Sequence, residues 1–176
     1  MTRLAGDIDI AAINPHIPRR VKLRLLEVVL AWARLDAAIA QFAAISFGLD
    51  LSVGAIIFGK MGVPDRVNRL RELNKQLGRT DNAASLKKLK ADYETHSQVR
   101  NSIAHATLAG QLPDGRLVFL PYQSTGKAGV LPIDAVTLED IAAAELWGKR
   151  LSISIDQLID NHLQNAEDGF ADHSAQ

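Results

Sequence analysis

The chain has no cysteine among its 176 residues. Disulfides, thiolate metal sites and thiol nucleophiles are therefore excluded, and a reducing cytoplasm is the expected compartment. Aromatic residues make up only 5% of it, and the abundance of Ala and Leu favours helices. There is no net charge to attract a partner by sign alone, since 20 Lys and Arg balance 20 Asp and Glu. The first 14 residues have no apolar run of signal-peptide length and contain Asp7 and Asp9, so no export signal is expected. The P-loop, GxGxxG, GxSxG, HExxH and paired Glu-x-x-His signatures are all missing. We accordingly expect no cofactor and no metal site.

What is present is enough for one domain with a sizeable core, because 47% of the residues are hydrophobic. Residues 37–59 are mostly apolar and as long as a membrane-spanning helix. Asp50 sits near the middle of that run, where it would cost ~2.5–3.5 kcal/mol on insertion scales. Two buried helices are expected there, and no membrane association.

Residues 1–18 read as an irregular lead-in, since Pro15 and Pro18 bar a regular helix. From Arg19 to about residue 47, Val21, Leu25, Val28, Trp32, Leu35, Ile39 and Phe42 recur every three or four residues, the period of an amphipathic helix. Gly48 ends it. Residues 51–60 suggest a short, largely buried helix. Pro64 opens another that runs to Gly78, with Arg66, Arg69, Arg71 and Lys75 on its exposed side. A long helix is expected over residues 83–109, with Leu86, Leu89, Tyr93, His96 and Ile103 as its core stripe. The turn signal at residues 112–116 and the run Leu117-Val118-Phe119-Leu120 predict a hairpin. Residues 123–129 read as a flexible loop and 130–133 as a short strand. Thr137 and Asp140 form a capping box opening the last helix, which carries Ile141, Ala144, Leu151, Ile155, Leu158 and Leu163. The apolar period fades from Asn165, so residues 165–176 are expected to be a flexible tail. The fold class is all-α, a bundle of four or five helices over residues 19–164 with a small β insertion at residues 110–133, before the last helix.

Charge is uneven along the chain. Residues 60–100 contain ten Lys or Arg against five Asp or Glu, whereas residues 134–176 contain two against nine. Arg66, Arg69, Arg71 and Lys75 are thus candidates for nucleic-acid binding. A solvated face of an amphipathic helix is the alternative.

The residues best equipped for chemistry are Arg100, Asn101 and His105. On a helix Asn101 and His105 share a face at i and i+4, while Arg100 lies about 100° away and must reach across. A guanidinium can hold a phosphate by two hydrogen bonds, and an imidazole can exchange a proton near neutral pH. These are the requirements for metal-free RNA cleavage: a histidine takes the 2′-OH proton, the oxygen attacks phosphorus, and arginine stabilises the phosphorane. Asp36, Tyr93 and Ser97 are candidate supporting residues. The same side chains have a purely structural reading, with His105 closing a helix, Arg100 paired to Asp36 and Asn101 capping a loop. Asp92 and His96, one turn apart, are read as a solvated acid beside a half-buried histidine rather than as metal ligands. His16, His162 and His173 are given no role.

The run Arg-Asn-x-Ile-Ala-His at residues 100–105, late in a helix that follows a basic one, resembles the Arg-x4–6-His motif of the HEPN superfamily of helical bundles. The resemblance implies a catalytic pair of Arg100 and His105 supported by Asn101. It also implies metal-independent endoribonuclease activity in a homodimer whose two motifs face one cleft. Many such proteins are toxins or act in defence against phage, so an antitoxin or another partner protein is a further expectation. Other members are inactive, which implies the alternative of a non-catalytic helical dimer that binds a nucleotide, nucleic acid or protein.

Overall fold

The computed structural model describes the backbone of residues 2–3, 8–121 and 133–173 and the side chains of residues 8–120 and 133–164. The chain is mostly helical, with a small antiparallel sheet ahead of the last helix. It divides into two compact units, residues 1–32 with 95–148 and residues 33–94 with 149–176. Helix α1 (Arg19–Ser46) contributes one half to each unit, and α6 (Leu138–His173) contributes its first 11 residues to the first unit and the rest to the second.

The first unit contains all the strands found among the described residues: β1 (Thr2–Arg3), β2 (Ala106–Gln111), β3 (Leu117–Pro121) and β4 (Asp134–Val136), in spatial order β1-β4-β3-β2 and antiparallel throughout. The expected hairpin is present as β2 and β3, joined through residues 112–116, where Leu112 N–H bonds Arg116 O at 2.8 Å. The register shifts between Leu108 and Gly110, a bulge that only glycine suits, because Gly110 has φ 154° and a Cβ there would strike the Asn14 backbone. The lead-in is more ordered than the sequence suggests. Thr2–Arg3 pairs with β4, Ile10–Ala12 forms a 3-10 turn capped by Asp9, and Asn14 exchanges two 2.9 Å backbone bonds with Gln111. Proline excludes helix from this segment but not edge pairing. The strand expected at residues 130–133 falls mostly outside the described residues, as does the loop at 123–129; the observed strand is Asp134–Val136.

One face of the sheet buries Leu112, Val118 and Ile133, with Ile8, Ile13, Ala109 and Leu120 packed on them. Leu117 and Phe119, which alternate with Val118, are also fully buried, so β3 is covered on both sides. In α1 the stripe Val21, Leu25, Val28 and Trp32 is buried, and Trp32 Nε1 donates to Ala144 O at 2.9 Å. Gly148 of α6 lies against the Trp32 ring, where a Cβ would sit 3.0 Å from it. The capping box is present, with Asp140 N–H donating to Thr137 Oγ1 at 3.0 Å and Thr137 N–H to Asp140 Oδ2 at 3.1 Å.

The second unit is helical: the rest of α1, α2 (Leu51–Phe58), α3 (Val63–Gln76), most of α4 (Thr80–His96) and the carboxyl half of α6. Leu35, Ile39, Phe42, Phe58, Val67, Leu70, Leu86, Leu89, Leu151, Ile155 and Leu158 are buried in it. Gly48, at φ 64°, ends α1 as expected. Helix α2 departs from expectation. Only Gly54 and Phe58 are buried in it, and Leu51, Val53, Ile56 and Ile57 are exposed, because its apolar residues surround the helix and only one side can face a core. Leu163 of α6 is likewise exposed. Among the described residues, α1 alone is long and apolar enough to cross a membrane by length and composition, and Val28, Trp32, Leu35, Ile39 and Phe42 within it are buried. The tail expected from residue 165 is helical in backbone to His173, and its side chains lie outside the described residues.

The main correction concerns the long helix expected over residues 83–109. It is two helices, α4 and α5 (Gln98–His105), separated at Ser97, and residues 106–111 form β2. Ser97 is buried and precedes α5 at φ −78°, ψ −7°. The chain then turns extended at Ala106 (φ −126°, ψ 160°), where pairing with β3 supersedes helical propensity.

Candidate functional site

Helix α5 carries the three residues expected to do chemistry and packs against β2 and β3. Asn101 and His105, at i and i+4, are both exposed, and Arg100 is half-buried. The arginine reaches across the helix surface: its Nη1 donates to Asn101 Oδ1 at 3.1 Å. Guanidinium, amide and imidazole therefore occupy one exposed side, the imidazole on the last helical residue. Asn101 N–H donates to Ser97 O at 2.9 Å, so Ser97 supports the helix from its start rather than by its hydroxyl.

A buried contact that the sequence does not disclose anchors α5. Ser102, on the inner side of the helix, donates from Oγ to Asp134 Oδ2 at 2.8 Å and lies 3.2 Å from Gln98 O. Both Ser102 and Asp134 are buried, and Asp134 belongs to β4. A buried side-chain hydrogen bond contributes ~0.5–1.5 kcal/mol, and this one ties the motif helix to the sheet. The partners are 32 positions apart, and no local pattern announces them.

The supporting residues are divided. Ser97 is in the same unit as the motif, whereas Asp36 and Tyr93 are in the second unit. Asp36 accepts from Arg66 Nη1 at 2.9 Å.

That pairing also corrects the basic patch. Arg66 is buried, with Nε donating to Phe58 O at 2.9 Å, and is not available to a phosphate. Arg71 and Lys75 both hold Glu72, at 2.9 and 3.1 Å, and their hydrogen bonds keep its carboxyl below the usual glutamate range. Arg69 is exposed beside a 380 Å³ hollow that also includes Phe47, Asn68, Glu72, Leu73 and Gln76.

Two histidines without an expected role are packed against neighbours. His162 is buried, with Phe42 edge-on at 5.8 Å and Arg79 Nη1 donating to its Nδ1 at 2.6 Å. Burial, and secondly the Arg79 charge, push its pKa below the ordinary histidine value. His96 stacks on Trp147, ring centroids 3.7 Å apart and planes 10° from parallel. The pair borders a 170 Å³ cavity with Thr95, Gln98, Val99, Asp140, Ala143 and Ala144. No group of three or more metal-ligating side chains occurs among the described residues. In comparisons with family models, curated proteins and solved structures, nothing matches this chain.

Proposed function

We propose that this chain is an HEPN-like helical protein that cleaves RNA without a metal, with Arg100, Asn101 and His105 as its working residues. The observation that carries the reading is the Arg100 to Asn101 hydrogen bond, which gathers a phosphate-binding cation beside the exposed face that bears His105. His105 takes the proton of a ribose 2′-OH, and the O2′ attacks the adjacent phosphorus. Arg100 neutralises the charge that builds on the phosphorane oxygens. The 5′-oxygen leaves as its bond to phosphorus breaks and takes a proton from imidazolium, so the products are a 2′,3′-cyclic phosphate and a 5′-hydroxyl. DNA, lacking the 2′-OH, is not a substrate.

In this reading the protein is a homodimer in the cytoplasm, with α5 near the two-fold axis, so that two motifs form one doubly basic cleft. A role as toxin or phage-defence factor, held by an antitoxin, belongs to the same proposal. The test is incubation of purified protein with mixed RNA in EDTA, wild type beside His105→Ala. Cleavage by the first and not the second supports the reading; equal cleavage by both assigns the activity to a contaminant.

A second reading, a non-catalytic helical module that binds a partner protein, is favoured by one specific observation. Leu23, Leu26 and Leu30 are exposed along one side of α1, and Ile56 on α2 is 78% exposed, more apolar surface than a self-contained domain needs.

A further inference from the structure

We propose that the cavity beside the His96–Trp147 stack is a subsite for one nucleobase of a single-stranded RNA held along α5. The inference rests on the reading of Arg100 and His105 as a phosphate-handling motif. Helix geometry makes the site. On α6, Asp140, Ala143, Ala144 and Trp147 follow at i, i+3, i+4 and i+7 and share a face. The two alanines leave space beside the indole, and Asp140 contributes a carboxylate at its edge. On α5, Gln98 and Val99 close the cavity from the other side.

Its size and chemistry narrow the ligand. A volume of 170 Å³ suits a flat heterocycle and is below the ~300–1,000 Å³ of pockets for whole cofactors. The indole and imidazole already lie parallel, so a third ring can extend the stack, the contact by which proteins hold single-stranded bases without reading a duplex. Asp140 accepts from an exocyclic amino group, and Gln98 both donates and accepts. Amino-bearing bases are therefore preferred to uracil.

Position ties the cavity to the motif. Gln98, Asn101 and His105 lie at i, i+3 and i+7 on one side of α5, and all three are exposed. A strand following that side would place a base at Gln98 and Trp147 and a phosphate by Arg100 and His105, seven residues or about 10 Å along the axis.

The experiment uses the His105→Ala protein, so that RNA is bound without turnover, and short single-stranded oligonucleotides as probes. The chain has two tryptophans, whose indole N–H resonances are told apart with Trp147→Phe. We expect the Trp147 resonance to shift on titration with an adenine-containing oligoribonucleotide. Trp147→Ala should weaken binding by roughly five- to a hundredfold, the span of one base stack, and Trp147→Phe by much less. An unmoved Trp147 resonance at saturating oligonucleotide would overturn the subsite, and so would affinity unchanged in Trp147→Ala. Binding of a free mononucleotide as tightly as the oligonucleotide would overturn the strand-bound assignment. If RNA binds through Trp147 but wild type cleaves nothing, the nuclease reading fails while the subsite stands; cleavage without any Trp147 response gives the reverse.

Discussion

Helices α3 and α5 both carry side chains suited to phosphate, set among different neighbours. In α3 the cations meet acids: Arg66 is buried against Asp36, and Arg71 and Lys75 converge on Glu72. In α5, which has no acidic residue of its own, Arg100 Nη1 donates to the neutral amide of Asn101. A cation held by a carboxylate, as in α3, has less to offer an incoming anion.

The largest effect expected from this contrast is functional. Arg100→Ala should lower RNA cleavage by about a hundredfold or more, as loss of a transition-state contact does, while the thermal midpoint hardly changes. Arg100→Lys should recover little, since an ammonium cannot make the planar two-point contact. Activity and denaturation measured on the same preparations check this. A large loss of stability in Arg100→Ala would make it a structural residue like Arg66.

Arg66→Ala should do the opposite. Removing a buried cation takes its hydrogen bonds from Asp36 and Phe58, at a cost of about 2–4 kcal/mol in urea denaturation. RNA affinity of the folded fraction should stay near wild type. Weakened RNA binding with unchanged stability would return Arg66 to the nucleic-acid surface.

How α5 is anchored gives a smaller effect. Ser102→Ala removes the hydroxyl from the buried Asp134 carboxylate and should cost about 1–3 kcal/mol, read from chemical denaturation. Cleavage should fall more than the folded fraction does if the sheet holds the motif in position. A variant as stable as wild type would show that α5 is held by packing alone.

His162 sets a pH dependence in the second unit. Its folded pKa lies below the ordinary value of 6.5, so the unfolded chain binds its proton first. The stability contributed by the neutral ring is fully present above pH 6.5 and is lost as pH falls from there through the folded pKa. His162→Gln should flatten that part of a stability curve measured between pH 7.5 and 4.5. A curve of unchanged slope would rule out His162 as the cause.

The smallest effect belongs to the surface. Arg69 is the exposed member of the four basic residues on α3 that holds no acid in the described contacts, so Arg69→Ala should reduce the salt slope of single-stranded RNA binding by about 0.7, one phosphate contact. A reduction near two, about 0.7 for each of three contacts, would mean that Arg71 and Lys75 release Glu72 and contact phosphate in concert with Arg69.

Much of the fold is legible because it follows from repeats within the sequence. The stripe from Val21 to Phe42 gives α1, the residues 112–116 give the hairpin turn, and Thr137 with Asp140 opens α6. What is hidden depends on distant partners. The extension of β2 back to Ala106 needs β3 beside it, and the break at Ser97 has no Gly or Pro to mark it. The lead-in joins the sheet through Asn14 and Gln111, 97 positions apart in the chain. At the candidate site, the row of Asn101 and His105 is visible from spacing, and the Glu72 pairs could have been read from adjacency. Asp36 with Arg66, Ser102 with Asp134 and His96 with Trp147 could not, since each joins residues 30 or more positions apart.

The central claim is that the α5 trio is a metal-free ribonuclease site. Its most direct measurement is the cleavage of mixed RNA by wild-type protein in EDTA, compared with His105→Ala purified in parallel. The account predicts that wild type generates 2′,3′-cyclic phosphate ends undiminished by the chelator and that His105→Ala loses about a hundredfold or more of the rate. Equal rates from the two proteins, or activity that EDTA abolishes, would contradict it.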